Sequence, residues 1–244
     1  TKLFGWHTAA DSAAYKKFLT AFIPELIRVL HDEGFDKKHI IFHVSDEPHE
    51  QHLHSYLKAK KIIMPLLNDY TVMDALSSYD FYKKGVVSHP IPSNDHIQPF
   101  IDHKVKDLWV YYCVSQSVDV PNRFFSMPSS RNRIMGVLLY LYNIKGFLHW
   151  GFNFYNTQFS KKHINPFITT DCGFAFPSGD AFLVYPAPDG SAYASIRNEV
   201  QMEAFADLRA LQKAESLAGR SKVCDIIHEG LDYPITFTKY PLES

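Results

Sequence analysis

The sequence has 244 residues, enough for one α/β domain or two small ones with a sizeable core, and we favour one. Its formal net charge is −1 with the basic residues spread out, which excludes an electrostatic grip on nucleic acid or anionic lipid. Three cysteines, Cys113, Cys172 and Cys224, lie in separate segments without C-x-x-C spacing, so neither a disulfide framework nor a zinc cluster is indicated and a reducing, cytoplasmic setting is expected.

The longest strongly apolar run, around Val137 to Leu141, is far short of a membrane span, and Thr1 to Gly5 does not read as a signal peptide. Aromatic content is 15%, and many of the 14 tyrosines and 19 phenylalanines fall near expected strand ends, as in sugar-binding clefts, although for most of them core filling is the ordinary role.

In chain order, Leu3 to Trp6 reads as a short strand, and Asp11 or Ser12 can cap the next helix. That helix carries Phe18, Leu19, Phe22, Ile23, Leu26, Ile27 and Leu30 at three and four spacing, is bent by Pro24 and stops at Gly34. His39 to Pro48, HIIFHVSDEP, is a strand rich in β-branched residues that ends in two adjacent carboxylates, Asp46 and Glu47. A helix follows from Glu50 to Leu66, then a strand Tyr70 to Leu76, a short helix Tyr79 to Lys84, a strand Val86 to Ser88, a short helix Ile97 to His103 and a strand Leu108 to Cys113. After the long loop Val114 to Pro128 come the helix Arg131 to Asn143 and the strand Phe147 to Phe152. A second long loop, Asn153 to Asp180, precedes a strand Phe182 to Tyr185 and a helix capped by Ser195 and running to about Leu217.

Alternating strands and helices argue for a parallel α/β sheet, and active groups at several strand ends favour a (β/α) TIM-type barrel over an open doubly wound sheet. About six strand and helix units are visible where a complete barrel has eight, so the barrel is expected to lack one or two units on its N-terminal side. Residues 1–218 are assigned to it and 219–244 to an irregular tail. Side-by-side acids are costly because each anion raises the other's pKa, and a plain turn could use Asn, Ser or Gly. The pair therefore points to chemistry.

FHVSDEP, LWVYYC with its long loop, Arg131 leading into GFLHWGFN, then GDAFLVYP and SIRNEVQMEAFADLRAL occur in an order that resembles glycoside hydrolase family 123, the region also catalogued as domain of unknown function 4091. The likeness runs from Leu3 to Leu217. It implies a barrel glycosidase that removes non-reducing β-linked N-acetylgalactosamine with retention by substrate-assisted catalysis, an exception to the usual two separated carboxylates. Adjacent acids suit that exception, because they cannot easily stand on opposite faces of one sugar. Under the resemblance Glu47 is general acid and then base, while Asp46 stays ionised and accepts the acetamido N–H. Trp150 would form the floor of the sugar subsite. Tyr111 or Tyr112 would donate to the acetamido oxygen, and we lean to Tyr112, since only one of two successive strand residues points inward. Asn153 and Tyr155 could bind sugar hydroxyls, with Trp6 and His7 weaker candidates. The expected partner is an oligosaccharide or glycoconjugate substrate, and no cofactor or metal is called for.

Two departures from the family pattern stand out: the final helix reads QMEAFADL where a glycine and a more regular acidic pattern are usual, and the front of the barrel with any N-terminal β-sandwich is absent from the sequence. The bland alternatives are specific. Asp46 can cap a helix while Glu47 faces water. HEQHLH does not match H-E-x-x-H, because the residue four after His49 is Leu53, so His49, His52 and His54 read as solvated helix residues. Arg197 reads as a tie between its helix and a backbone or carboxylate partner, and Cys113 as a structural cysteine. The competing function is a non-catalytic carbohydrate-binding protein on the same scaffold, against which retention of both acids argues.

Overall fold

Local signals produce the helices almost where the pattern places them. The computed structural model describes residues 8–242, so the expected strand Leu3 to Trp6 and the candidates Trp6 and His7 lie outside the described residues. The chain forms two compact units, Thr1–Pro92 and Ser93–Ser244.

In the first unit α1 spans Ala13–Asp32, and Ser12 caps it by accepting the Tyr15 N–H. Its apolar stripe buries Leu19 and Ile23 in a cluster with Ile40, Leu67 and Tyr70. β1, Ile41–Phe42, is followed by α2, Leu53–Ile63, extended at both ends by 3₁₀ turns at Glu50–His52 and Met64–Leu66. Next come β2, Thr71–Ala75, α3, Tyr79–Lys83, and β3, His89–Ile91. The three strands form one parallel sheet in the order β1-β2-β3, with Ile41 opposite Thr71 and Met73 opposite His89.

Two expectations shift here. β1 ends at Phe42 because the N–H groups of Val44 and Ser45 donate to the Asp74 carboxylate instead of to a neighbouring strand. β3 begins three residues later than expected: Val87 is used as core, and the pairing runs through His89 and Pro90, whose missing N–H made that stretch read as loop.

In the second unit α4, Gln98–Asp102, leads to β4, Trp109–Tyr111, and the segment up to Pro128 is irregular as expected. α5, Ser129–Arg133, and α6, Met135–Leu141, replace the single expected helix, and β5, Gly146–Leu148, pairs parallel with β4. β6, Val184–Pro186, turns through Pro188, Asp189 and Gly190 into β7, Ala192–Ala194, an antiparallel hairpin that the alternating scheme did not foresee. α7, Ile196–Ala218, is capped by Ser195 through the Asn198 N–H, and its Ala204 packs fully buried opposite Gly136 of α6.

The tail is corrected as well. Residues 219–244, expected to be irregular, contain α8, Arg220–Ile227, separated from α7 by Gly219 at φ 83° and held by Arg220 donating to the carbonyls of Tyr140 and Leu141. The α/β class with small parallel sheets stands, and no closed sheet occurs among the described residues.

Candidate functional site

The acid pair of the first unit sits where β1 leaves the sheet. Asp46 and Glu47 are both exposed, and Glu47 adopts φ 42°, in the left-handed region where a residue with a Cβ is strained. Such conformations persist only when their surroundings over-determine them, and they concentrate at functional sites. Asp46 has its pKa raised above the ordinary aspartate value, first because nearby protein displaces part of its hydration, then because the Glu47 anion is adjacent; His43 opposes the shift and Asp74 adds to it.

Asp74 lies beneath this turn, 1% exposed. Its Oδ1 accepts the Val44 N–H at 2.7 Å and the Ser45 N–H at 3.1 Å, while Oδ2 accepts the Tyr56 hydroxyl at 2.6 Å. Tyr56 is itself buried, edge-on to Phe81 with ring centroids 5.5 Å apart, and its phenol is pushed up by burial and then by the hydrogen bond to Asp74. The sequence reading passed over Asp74. Its one signal was an acid inside an otherwise strand-like run, TVMDAL.

The second unit carries a separate aromatic platform. The Trp150 side chain is half exposed, and its indole N–H donates to Asp180 Oδ2 at 2.8 Å. Phe176 and Phe154 stand edge-on to the indole at 4.9 and 5.3 Å between centroids, while the His149 ring lies nearly parallel to it at 6.4 Å.

Below the platform is a buried polar group that sequence patterns did not reveal. Asp180 is fully buried, and its Oδ1 faces His149 Nε2 at 3.3 Å. His149 Nδ1 accepts the Gly151 N–H at 2.9 Å and an Arg123 N–H at 2.8 Å, which leaves the imidazole proton on Nε2, towards Asp180. Arg123 also donates to the Gly151 carbonyl and to Gln201, and burial pushes its guanidinium down to about 10. Burial likewise lowers the pKa of His149.

The remaining candidates divide clearly. Tyr112 is fully buried against Phe147 and His149, its hydroxyl donates to Asn132 at 3.2 Å, and burial pushes it up to about 12. Tyr111 is buried at 6% exposure. Tyr155 donates its hydroxyl to the Val184 carbonyl at 2.8 Å, and its ring packs on Phe182, whereas Asn153 is exposed. Arg197 ties the start of α7 to the carbonyls of Gly179 and Phe182, as its sequence position suggested, and lies over the Phe125 ring at 4.6 Å. The structure thus gathers Trp150, Tyr112, Tyr155 and Asn153 within the second unit and the two acids within the first.

Among the described residues no group of three or more His, Cys, Asp or Glu side chains is placed to hold a metal ion, and no helix is long and apolar enough to cross a membrane. No curated protein matches the chain. Among solved structures it is similar to a family 123 glycoside hydrolase from Clostridium perfringens, whose structural analysis concerned the details of glycolipid glycan hydrolysis. That match has 19% identity and a TM-score of 0.64, and it covers 92% of this chain and 40% of the other. The chain thus spans less than half the length of the enzyme it matches. The model of the glycoside hydrolase 123 catalytic domain matches residues 1–214, and the chain belongs to that family.

Proposed function

We propose that this chain carries the chemistry of a glycoside hydrolase that removes non-reducing β-linked N-acetylhexosamine, with N-acetylgalactosamine as the leading sugar, by a retaining, substrate-assisted mechanism. The observation that carries the reading is the exposed Asp46 and Glu47 pair at the exit of a parallel strand, with Glu47 held at φ 42°. Adjacent acids suit a reaction in which the nucleophile is the substrate's own acetamido oxygen. Asp46 accepts the acetamido N–H, which turns the carbonyl oxygen towards the anomeric carbon and stabilises positive charge in the oxazolinium-like intermediate. Glu47 gives its proton to the departing glycosidic oxygen and then takes one from the water that opens the intermediate. The raised pKa of Asp46 bears on when it is ionised: its service as an anion is lost as pH falls through a value above that of an ordinary aspartate.

In the second unit, the indole face of Trp150 between Phe154 and Phe176 supports carbohydrate binding. A glycoconjugate substrate agrees with the glycolipid glycan hydrolysis studied in the Clostridium perfringens enzyme. The scaffold we propose is a (β/α) barrel, supported by the parallel pairings β1-β2-β3 and β4-β5.

The test is hydrolysis of chromogenic β-N-acetylgalactosaminide and β-N-acetylglucosaminide by the 244-residue chain, with melting curves to confirm folding. Glu47→Gln is expected to lose most turnover on poor leaving groups while still binding ligand, and Asp46→Asn to be impaired whatever the leaving group. Full activity in Asp46→Asn would overturn the acetamido-assisted mechanism. Ligand binding without hydrolysis by a folded chain would favour a carbohydrate-binding protein.

A further inference from the structure

The turn that presents the acid pair has little regular structure to hold it. β1 stops at Phe42, and Glu47 is held in a left-handed conformation that a free turn would abandon. Among its contacts, the segment between them is tied down by Asp74, which belongs to the neighbouring strand β2. One carboxylate oxygen gathers two consecutive amides, Val44 and Ser45, immediately before the acids, and the other is held by the Tyr56 hydroxyl. Hydrogen bonds to an ionised acceptor are shorter and stronger than neutral ones, and a buried carboxylate left without donors would be costly. The 2.6 and 2.7 Å contacts fit that pattern. None of these three partners is a cation, so Asp74 does not serve as half of an ion pair with them. Its geometry is that of a clamp on the backbone, with Tyr56 fixing the clamp.

We propose that Asp74, held by Tyr56, is a positioning residue that sets where the Asp46 and Glu47 carboxylates stand by fixing the Val44 and Ser45 amides. The inference rests on the reading of the acid pair as catalytic. Asp74 touches no substrate in this scheme; it acts through the backbone of residues 44–47, beside the smaller electrostatic effect of its charge on Asp46. A clamp of this kind acts on the alignment of the reacting groups more than on binding of the sugar, so its removal lowers kcat and leaves KM nearly unchanged.

The experiment compares Asp74→Ala, Asp74→Asn, Tyr56→Phe and Glu47→Gln in the 244-residue chain, reading kcat and KM on a β-linked N-acetylhexosaminyl disaccharide, whose sugar leaving group is poor, together with the melting temperature. Folded Asp74→Ala is expected to lose about 100-fold in kcat, the scale of a misplacement near 1 Å, with KM within a factor of about three. Asp74→Asn keeps an oxygen that can accept both amides and is expected to recover at least about tenfold over the alanine variant. Tyr56→Phe is expected to fall between them. Wild-type kcat in folded Asp74→Ala, or an asparagine variant no better than alanine, overturns the proposal. If Asp74→Ala does not fold, Tyr56→Phe decides: a fall in kcat at unchanged KM supports the clamp, and wild-type kcat overturns it. A dead Glu47→Gln beside a fully active Asp74→Ala removes this inference alone, whereas Glu47→Gln at full rate removes the acid-pair reading beneath it.

Discussion

At the scale of single residues, the buried histidine of the second unit makes the sharpest pH statement. His149 is held neutral, first by burial and also by the Arg123 cation that donates to its Nδ1, while Asp180 pulls the other way. In the unfolded chain the same imidazole titrates near the usual 6.5. Between that value and its depressed native value the unfolded state binds the extra proton, so stability falls as pH drops through 6.5. The slope attributable to one such group is at most about 1.4 kcal/mol per pH unit. Urea unfolding at pH 7.5 and 5.5 measures it, and His149→Gln is expected to flatten the difference. An unchanged difference would mean that other groups carry the acid sensitivity.

Elements in this protein are placed by small residues as much as by large ones. α6 and α7 approach so closely at Gly136 that a Cβ there would stand 1.9 Å from the Ala204 carbonyl oxygen. The contact is with backbone, which cannot swing aside, so the helices must part. Gly136→Ala is therefore expected to destabilise by about 1–3 kcal/mol even though alanine is the better helix former. Denaturant titration would show it as a lower midpoint at unchanged slope. The contrast is Gly190, where nothing lies within 4 Å and only its φ of 85° resists a side chain. Capping works at the same scale: Ser12 and Ser195 each satisfy an orphan amide at the start of a long helix, and both starts were legible because the signal lies within three residues.

For the whole molecule, charge is the property with a direct consequence. A formal net charge of −1 with 13 histidines means that acid adds positive charge quickly below neutrality, whereas alkali adds little negative charge until cysteine and tyrosine titrate. Solubility of the 244-residue chain is expected to pass through a minimum close to neutral pH and to rise steeply on the acid side while the fold holds. Precipitation by polyethylene glycol across pH 5.5 to 8.5 tests this. A flat profile would place control of solubility in exposed apolar side chains such as Phe174 and Ile168, which are 97% and 79% exposed.

The sequence by itself determined what is periodic or adjacent: the stripe of α1, the start of α1 to within Asp11 or Ser12, the cap of α7, the parallel α/β class, and the side-by-side placement of Asp46 and Glu47. Each of these is written within a few residues, and an amphipathic period or a cap acts over that same distance. The ordered set of motifs carried the family because it samples the whole chain at once. Tertiary structure alone decided where the strands stop and what steadies the candidate site residues. β1 ends where Asp74, 30 residues on from Val44, takes its amide, and the Trp150 indole is aimed by Asp180, 30 residues further along. Tyr112 turned out to donate to Asn132, which no alternation rule could name. A buried hydrogen bond depends on which donor and acceptor the fold brings within about 3 Å, and nothing in local spacing encodes a partner that distant.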